Sequence, residues 1–255
     1  MKLYYKEYGK ENEQVIVITH GLFGSSDNWG SIAKKLGEEY RVIVADARDH
    51  GRSPSSIGIS YPVMAEDFKE LFDDLGLKEV VFVGHSMGGK TAMEFAQHYP
   101  ELLKFLIVVD ISPKEHENSH NLILEGLISA DLDVLTSRQD VEIHLRSFVP
   151  EPGVIQFLMK GLYWQDDGKL GWRMNAPLIK KDLENILAAT GPERVKVPTL
   201  FIKGGQSNYI EREDIPAIKE QFPNCRVVTI EHAGHWVHAQ APEEVMDLIR
   251  ECAAS

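Results

Sequence analysis

One twenty-residue stretch constrains this chain more than any other. Residues 79 to 98 read Glu-Val-Val-Phe-Val-Gly-His-Ser-Met-Gly-Gly-Lys-Thr-Ala-Met-Glu-Phe-Ala-Gln-His. Val80 to Val83 is a short apolar run, which predicts a buried strand. Thr91, Ala92, Met93, Phe95 and Ala96 predict a helix, ended near Tyr99-Pro100 because proline cannot continue it. Between them lies Gly84-His85-Ser86-Met87-Gly88. A serine on so sharp a strand-to-helix turn is held out above the sheet, with a helix N-terminus behind it. Side chains at Gly84 and Gly88 would clash in that turn. A bare Gly-x-Ser-x-Gly arises often by chance, but one with a strand before it and a helix after it does not. Ser86 is the candidate nucleophile.

The remaining chain alternates in the same way. Residues 2 to 8 predict a first strand and Val15 to Ile18 a buried one, which runs into the loop His20-Gly21-Leu22-Phe23-Gly24-Ser25-Ser26. Asp27 to Leu36 predicts a helix, Val42 to Val44 a strand, and Tyr61 to Leu75 an amphipathic helix ended by Gly76. Phe105 to Val109 predicts a strand ending on Asp110. Thr199 to Ile202 and Arg226 to Ile230 predict two more, each followed by a helix. Strands that alternate with helices predict an α/β class, with a mostly parallel sheet covered on both faces. Between Ser112 and Val195 the alternation stops. Apolar residues recur there at helical spacing (Leu122, Ile123, Leu127, Ile128; Ile143, Leu145, Phe148; Ile155, Phe157, Leu158, Leu162), and no buried strand is expected. The predicted organisation is therefore a core of residues 1–111 and 196–255. Residues 112–195 are expected to form a helical cap over the C-terminal edge of the sheet, where ligands bind in open α/β folds.

With 255 residues, 43% of them hydrophobic, the chain can bury one large core. A formal charge of −12 argues against a nucleic-acid surface, which needs clustered Lys and Arg. Two cysteines, Cys225 and Cys252, suggest no disulfide framework. The first ten residues are mixed and charged, and Val15 to Thr19 is too short for a signal core or a membrane span, so a cytoplasmic protein is expected. A monomer or homodimer is the expected assembly.

Four motifs make the pattern specific. They are His20-Gly21-Leu22-Phe23-Gly24-Ser25, Asp46-Ala47-Arg48-Asp49-His50-Gly51-Arg52-Ser53, Gly84-His85-Ser86-Met87-Gly88-Gly89-Lys90 and Gly234-His235-Trp236. Through them the chain resembles the α/β-hydrolase family, and within it the small bacterial carboxylesterases of the YbfF type and their abhydrolase relatives. The resemblance covers roughly residues 14 to 111 and 197 to 250. It touches the cap only through Trp172-Arg173-Met174-Asn175. It implies the α/β-hydrolase fold and a serine hydrolase whose triad follows the order Ser, acid, His.

A serine hydroxyl needs a base to take its proton, and the base needs an orienting carboxylate. The late histidines are His232, His235 and His238. The family places its base after the last strand, which selects His235. The commonest acid position follows the strand at Thr199 to Ile202, but there the chain reads Gly204-Gly205-Gln206-Ser207. Serine cannot hold a charge beside an imidazolium. The family's other position, after the preceding strand, holds Asp110, and a carboxylate directly after an apolar run needs a partner. Glu211, Glu213 and Asp214 are alternatives that suit the first turn of a helix. Ser207 is expected to hydrogen-bond near Asp110 or His235. The resemblance implies oxyanion donors at the backbone N–H of Met87 and of Leu22, with Phe23 as the alternative. Phe23 and Trp236 are expected to line the acyl pocket, and His120 to face the site.

Two other motifs compete. His116-Glu117-Asn118-Ser119-His120 has the His-Glu-x-x-His spacing of zinc proteases, which requires both histidines on one helix face. Its flanks are polar and Pro113 lies just upstream, so no metal is expected. Gly84 to Thr91 has phosphate-loop spacing, but the strand–turn–helix reading accounts for the same residues. The expected activity is hydrolysis of short- to medium-chain acyl esters without a cofactor, with a small-molecule acyl ester as the partner. A histidine base of ordinary pKa (~6.5) predicts a rate that rises through about pH 6 to 8. The alternatives are an acyl thioesterase, a perhydrolase or a carbon–carbon hydrolase on the same fold, or a small-molecule receptor with little turnover.

Overall fold

The computed structural model describes residues 1–56 and 58–255. The strands of the main sheet are Tyr5–Tyr8 (β1), Val15–Thr19 (β2), Arg41–Ala45 (β3), Val80–His85 (β4) and Leu103–Val109 (β5), followed after a long interval by two more. In that interval a small hairpin pairs Leu162–Trp164 (β6) with Leu170–Trp172 (β7). Thr199–Gly204 (β8) and Cys225–Ile230 (β9) complete the sheet. The first helices that cover it are Gly30–Leu36 (α1), Tyr61–Leu75 (α2) and Met87–His98 (α3). Asn121–Ser129 (α4), Arg138–Arg146 (α5), Pro152–Lys160 (α6), Ala176–Lys181 (α7) and Leu183–Leu187 (α8) follow. Ile215–Gln221 (α9), Val237–Gln240 (α10) and Pro242–Ala254 (α11) close the chain.

The seven-stranded sheet has the order β1-β3-β2-β4-β5-β8-β9. Only β1 runs antiparallel, against β3; the remaining pairings are parallel. Every residue of β2 and β4 is buried, and each strand sends alternate side chains to opposite faces. Val17, Phe82, Val108 and Phe201 pack with Phe68 and Phe72 of α2, Phe95 of α3 and Ile218 of α9. Ile16, Val83, Val109 and Leu200 pack with Ile32 and Leu36 of α1 and with Val245 and Ile249 of α11. Two dry faces explain why these strands read as unbroken apolar runs.

Strand order reverses between β3-β2 and β4, so the crevice beyond their C-terminal ends is where an open α/β sheet takes a ligand. The register brings the functional loops to that edge. His85 pairs with Val109, and Val109 pairs with Ile202. The Ser86 N–H then donates to Val109 O at 3.0 Å, and the Asp110 N–H to Ile202 O at 2.8 Å.

The stretch from α4 to α8 sits over this edge. Leu124, Leu127, Leu145, Leu158 and Ile179 pack in one cluster with Phe23, Met64 and Met87. The β6–β7 hairpin within it departs from the purely helical expectation. Its strands are three residues each, closed by a Gln165 N–H to Lys169 O bond of 2.7 Å across a turn with Gly168 at φ 81°. The expected helix at Asp27 is also shorter, because Ser26–Trp29 forms a 3₁₀ turn before α1 begins. Among the described residues no helix is long and apolar enough to cross a membrane.

Candidate active site

Ser86 occupies the turn between β4 and α3 with φ 53° and ψ −120°, a conformation that costs ~1–3 kcal/mol and persists only where its surroundings enforce it. Glycine makes the turn feasible. A Cβ on Gly84 would lie 2.2 Å from Gly88 O, and one on Gly88 would lie 2.6 Å from His20 O. Ser86 is almost wholly buried, at the floor of a cavity.

His235 reaches it from the loop between β9 and α10. Its Nε2 is 3.1 Å from Ser86 Oγ, and its Nδ1 is 2.8 Å from Asp110 Oδ2. An ionised carboxylate only accepts, so Nδ1 carries the proton and Nε2 is left to accept from the serine. Asp110 has no exposed surface and stands at φ 52° directly after β5. Its Oδ1 accepts the Gly204 N–H at 2.8 Å, and its Oδ2 also accepts the Ser207 hydroxyl. Three donors thus meet the buried charge, as burial demands. The alternative acids lie elsewhere: Glu211 and Asp214 pair with Lys114 at 2.8 and 2.9 Å, and Glu213 is in the same 3₁₀ turn.

The two expected oxyanion donors differ from their alternative in one bond. Phe23, at φ 63°, donates its N–H to His50 Nε2 at 3.2 Å and is spent. Leu22 N–H meets no acceptor among the described residues. Met87 opens α3, where N–H groups lack intrahelical partners. His50 can accept because burial and the neighbouring His20 push its pKa down to about 3 and keep it neutral. His20 spans the same loops, with Nδ1 2.8 Å from Gly21 O and Nε2 accepting the Ala47 N–H at 3.1 Å. The Asp46 carboxylate closes the turn by accepting the Ser26 N–H at 2.5 Å and the Arg52 N–H at 2.8 Å.

A cavity of about 280 Å³ opens above Ser86 and His235. Leu22, Phe23, Ile123, Val154, Phe157 and Trp236 supply its apolar wall, with Phe157 and Trp236 rings 5.3 Å apart. His120 lines it too, 6.0 Å from the Phe23 ring, and burial together with His235 lowers its pKa to about 4. His85 backs the His235 loop: its Nε2 is 2.9 Å from His235 O, and burial, then His238 and His235, hold its pKa far below the usual value. His238 stacks on Trp29, and His232 lies on the surface beside Glu244. Residues 116–120 are not helical, so the zinc-type spacing does not place His116 and His120 on one helix face. His116 turns instead to Ser112.

Sequence reasoning missed Tyr209, whose ring stacks on His235 at 3.9 Å, and the wall residues Val154 and Phe157. Tyr209 follows a loop with no motif. The wall residues lie on α6, whose spacing is that of any amphipathic helix.

The profile of the alpha/beta hydrolase fold family matches residues 14–131. Esterase YbfF of Escherichia coli K12 is 36% identical over 245 residues, 94% of this chain and 93% of that protein. The sn-1-specific diacylglycerol lipase ABHD11 of Danio rerio is 40% identical over 252 residues, 94% of this chain and 78% of that one. A solved structure titled marine microorganism esterase superposes with a TM-score of 0.94 at 40% identity, over 98% of both chains. This chain belongs to the α/β-hydrolase family.

Proposed function

We propose that the protein is a serine carboxylesterase acting on short- to medium-chain acyl esters through an acyl-enzyme. The observation that carries this reading is the hydrogen-bonded line from Asp110 through His235 to Ser86, opening on an apolar cavity of about 280 Å³. In this reading Ser86 Oγ attacks the ester carbonyl while His235 Nε2 takes its proton. Asp110 holds the tautomer and stabilises the imidazolium. The oxyanion is met by the N–H groups of Leu22 and Met87; one such donor is worth ~10²–10³ in rate. His235 returns the proton to the leaving alcohol, then activates the water that frees Ser86. Residues 112–195 act as the cap. They keep bulk water from the cavity and shape it, to a volume just below the ~300–1,000 Å³ usual for ligand pockets. The relatives named as esterase and lipase support the same reaction class.

Hydrolysis of p-nitrophenyl esters from acetate to palmitate tests this, with wild type, Ser86→Ala and Asp110→Asn side by side. Short and medium esters are expected to turn over, and both variants to lose at least ~10³-fold in kcat. An Asp110→Asn enzyme at near full rate would move the acid elsewhere. A wild type that cleaves no ester would end the esterase reading.

A further inference from the structure

We infer that Lys90 is a positioning residue: its buried ammonium pins the outgoing and returning ends of the 112–195 segment to the helix that carries Ser86, and so fixes the wall of a small cavity beside that serine. The inference rests on Ser86 being the nucleophile. Lys90 lies one turn along α3, its N–H donating to Ser86 O at 3.1 Å, and only 1% of its surface is exposed. An ammonium has three N–H donors, and here all three meet carbonyls. Lys114 O, on the outgoing end, is 2.6 Å from Nζ; Ala188 O and Leu187 O, on the returning end, are at 2.5 and 3.3 Å.

The two ends are also laced to each other. The His116 N–H donates to Leu187 O at 2.9 Å, and the Thr190 N–H to Pro113 O at 3.0 Å. Further along the same face of α3, Glu94 Oε2 accepts the Gly191 N–H at 2.9 Å and Gln97 Oε1 accepts the Glu193 N–H at 3.0 Å. Positions 90, 94 and 97 share one stripe of a helix. Together they seat the returning chain from 187 to 193. Tyr61 of α2 completes the clasp, its ring 5.5 Å from Nζ and its hydroxyl donating to Ile186 O. A cavity of about 30 Å³ touches Ser86 on this side, bounded by Met87, Lys90, Ile111, Ile186 and Leu187. Leu187, one of the three residues whose carbonyls Lys90 holds, is therefore part of the wall against the nucleophile, and Lys114 and Ala188 anchor the chain on either side of it.

Hydrophobic packing alone would not call for this residue. A buried ammonium without an adjacent carboxylate is costly, and burial lowers the Lys90 pKa to about 7, with Glu115 acting in the opposite direction. What the charge supplies is direction: three carbonyls from two chain segments converge on one point.

The test compares Lys90→Met, of similar length without donors, with Lys90→Arg, which keeps charge and donors. Amide hydrogen exchange at His116 and Thr190 is read against Val81 to Val83 as internal control, beside kcat and KM over the ester series. In Lys90→Met, exchange at His116 and Thr190 is expected to rise at least tenfold with the β4 amides unchanged. KM for the short esters is expected to rise with less than a threefold fall in kcat, and Lys90→Arg to restore both. Unchanged exchange at the two amides, or a parallel rise in β4, overturns the inference, as does an unchanged KM. Should Lys90→Met not fold, wild type between pH 6 and 8.5 serves. After correction for intrinsic exchange, His116 and Thr190 are expected to accelerate relative to β4 as the ammonium loses its proton; a constant ratio overturns the inference. The groups facing Lys90 in that range are Glu115, Tyr61, whose pKa burial raises, and His116, which burial holds near 4, with Lys90 adding to the shift. Exchange needs no turnover, so an enzyme that cleaves no ester would defeat the esterase reading while leaving the exchange result to decide the clasp.

Discussion

The phenol ring of Tyr209 lies nearly flat on the imidazole of His235, with centroids 3.9 Å apart and planes 21° apart. The Asp110 bond fixes one axis of the imidazole, and the stacked ring limits rotation about it. Tyr209→Phe keeps the stack and is expected to stay within about threefold of wild-type kcat. Tyr209→Ala is expected to lose about ten- to a hundredfold in kcat with KM little changed, because a loosened base misses the attack geometry. Equal rates for the two variants would show that the stack does not orient the base.

Ser207 follows β8, where the family resemblance leads one to expect an acid, and its hydroxyl donates instead to the Asp110 carboxylate. Ser207→Ala leaves Asp110 with the Gly204 N–H and His235. Losing one hydrogen bond to a charged group costs ~1.5–3 kcal/mol where it is fully felt. Ser207→Ala should therefore lower kcat by about tenfold, far less than Asp110→Asn. Side-by-side kinetics check this, and a Ser207→Ala enzyme as dead as Asp110→Asn would make Ser207 indispensable to the relay.

Phe157 reaches into the cavity from α6 and leans on Trp236. Truncating a partly buried aromatic removes apolar contact that ground state and transition state share. Phe157→Ala is expected to raise KM for hexanoate and octanoate esters by about tenfold, with kcat nearly constant and the acetate ester less affected. A uniform change across the series would place Phe157 outside the substrate's path.

Acid stability follows from the buried histidines. His238 stacks on Trp29 at 4.4 Å, and burial, then His235 and Lys160, push its pKa down to about 3. Unfolded, it would titrate near ~6.5. Between those values the unfolded chain binds a proton that the folded chain refuses, so stability is full above about 6.5 and is lost as pH falls towards 3, by up to ~1.4 kcal/mol per pH unit for one such group. His50, also near 3, adds in the same direction. Tm is expected to fall from pH 7 to pH 5, and more shallowly in His238→Gln, whatever that variant loses at pH 7. Parallel slopes in the two proteins would show that His238 does not contribute.

The parts legible in the sequence were those whose chemistry is local. Gly84, Ser86 and Gly88 state a turn in five residues, and the apolar run before Asp110 marks a carboxylate in need of partners, its selection as the candidate acid resting on the family's second position. His235 was separable from His232 and His238 by its place after the last strand, aided by the family order. The His50 bond to the Phe23 N–H, which bears on the choice between Leu22 and Phe23 as donor, joins residues 27 apart and is encoded by no local pattern. Tyr209, Phe157 and Lys90 act through neighbours brought in by the fold. The β6–β7 hairpin escaped because three-residue strands carry too little alternation to be told from a helix flank.

Ser86 and His235 are 149 positions apart along the chain, and Asp110 and His235 are 125 apart. The line of contacts draws on the ends of β8 and β9 as well as on β4 and β5, which lie far earlier in the chain. Contacts so distant in sequence are the slow ones to form. On the proposed mechanism, turnover would report that the whole chain is in place. On that reading, a nascent or refolding molecule that holds its helices and central strands stays catalytically silent until the last strands dock.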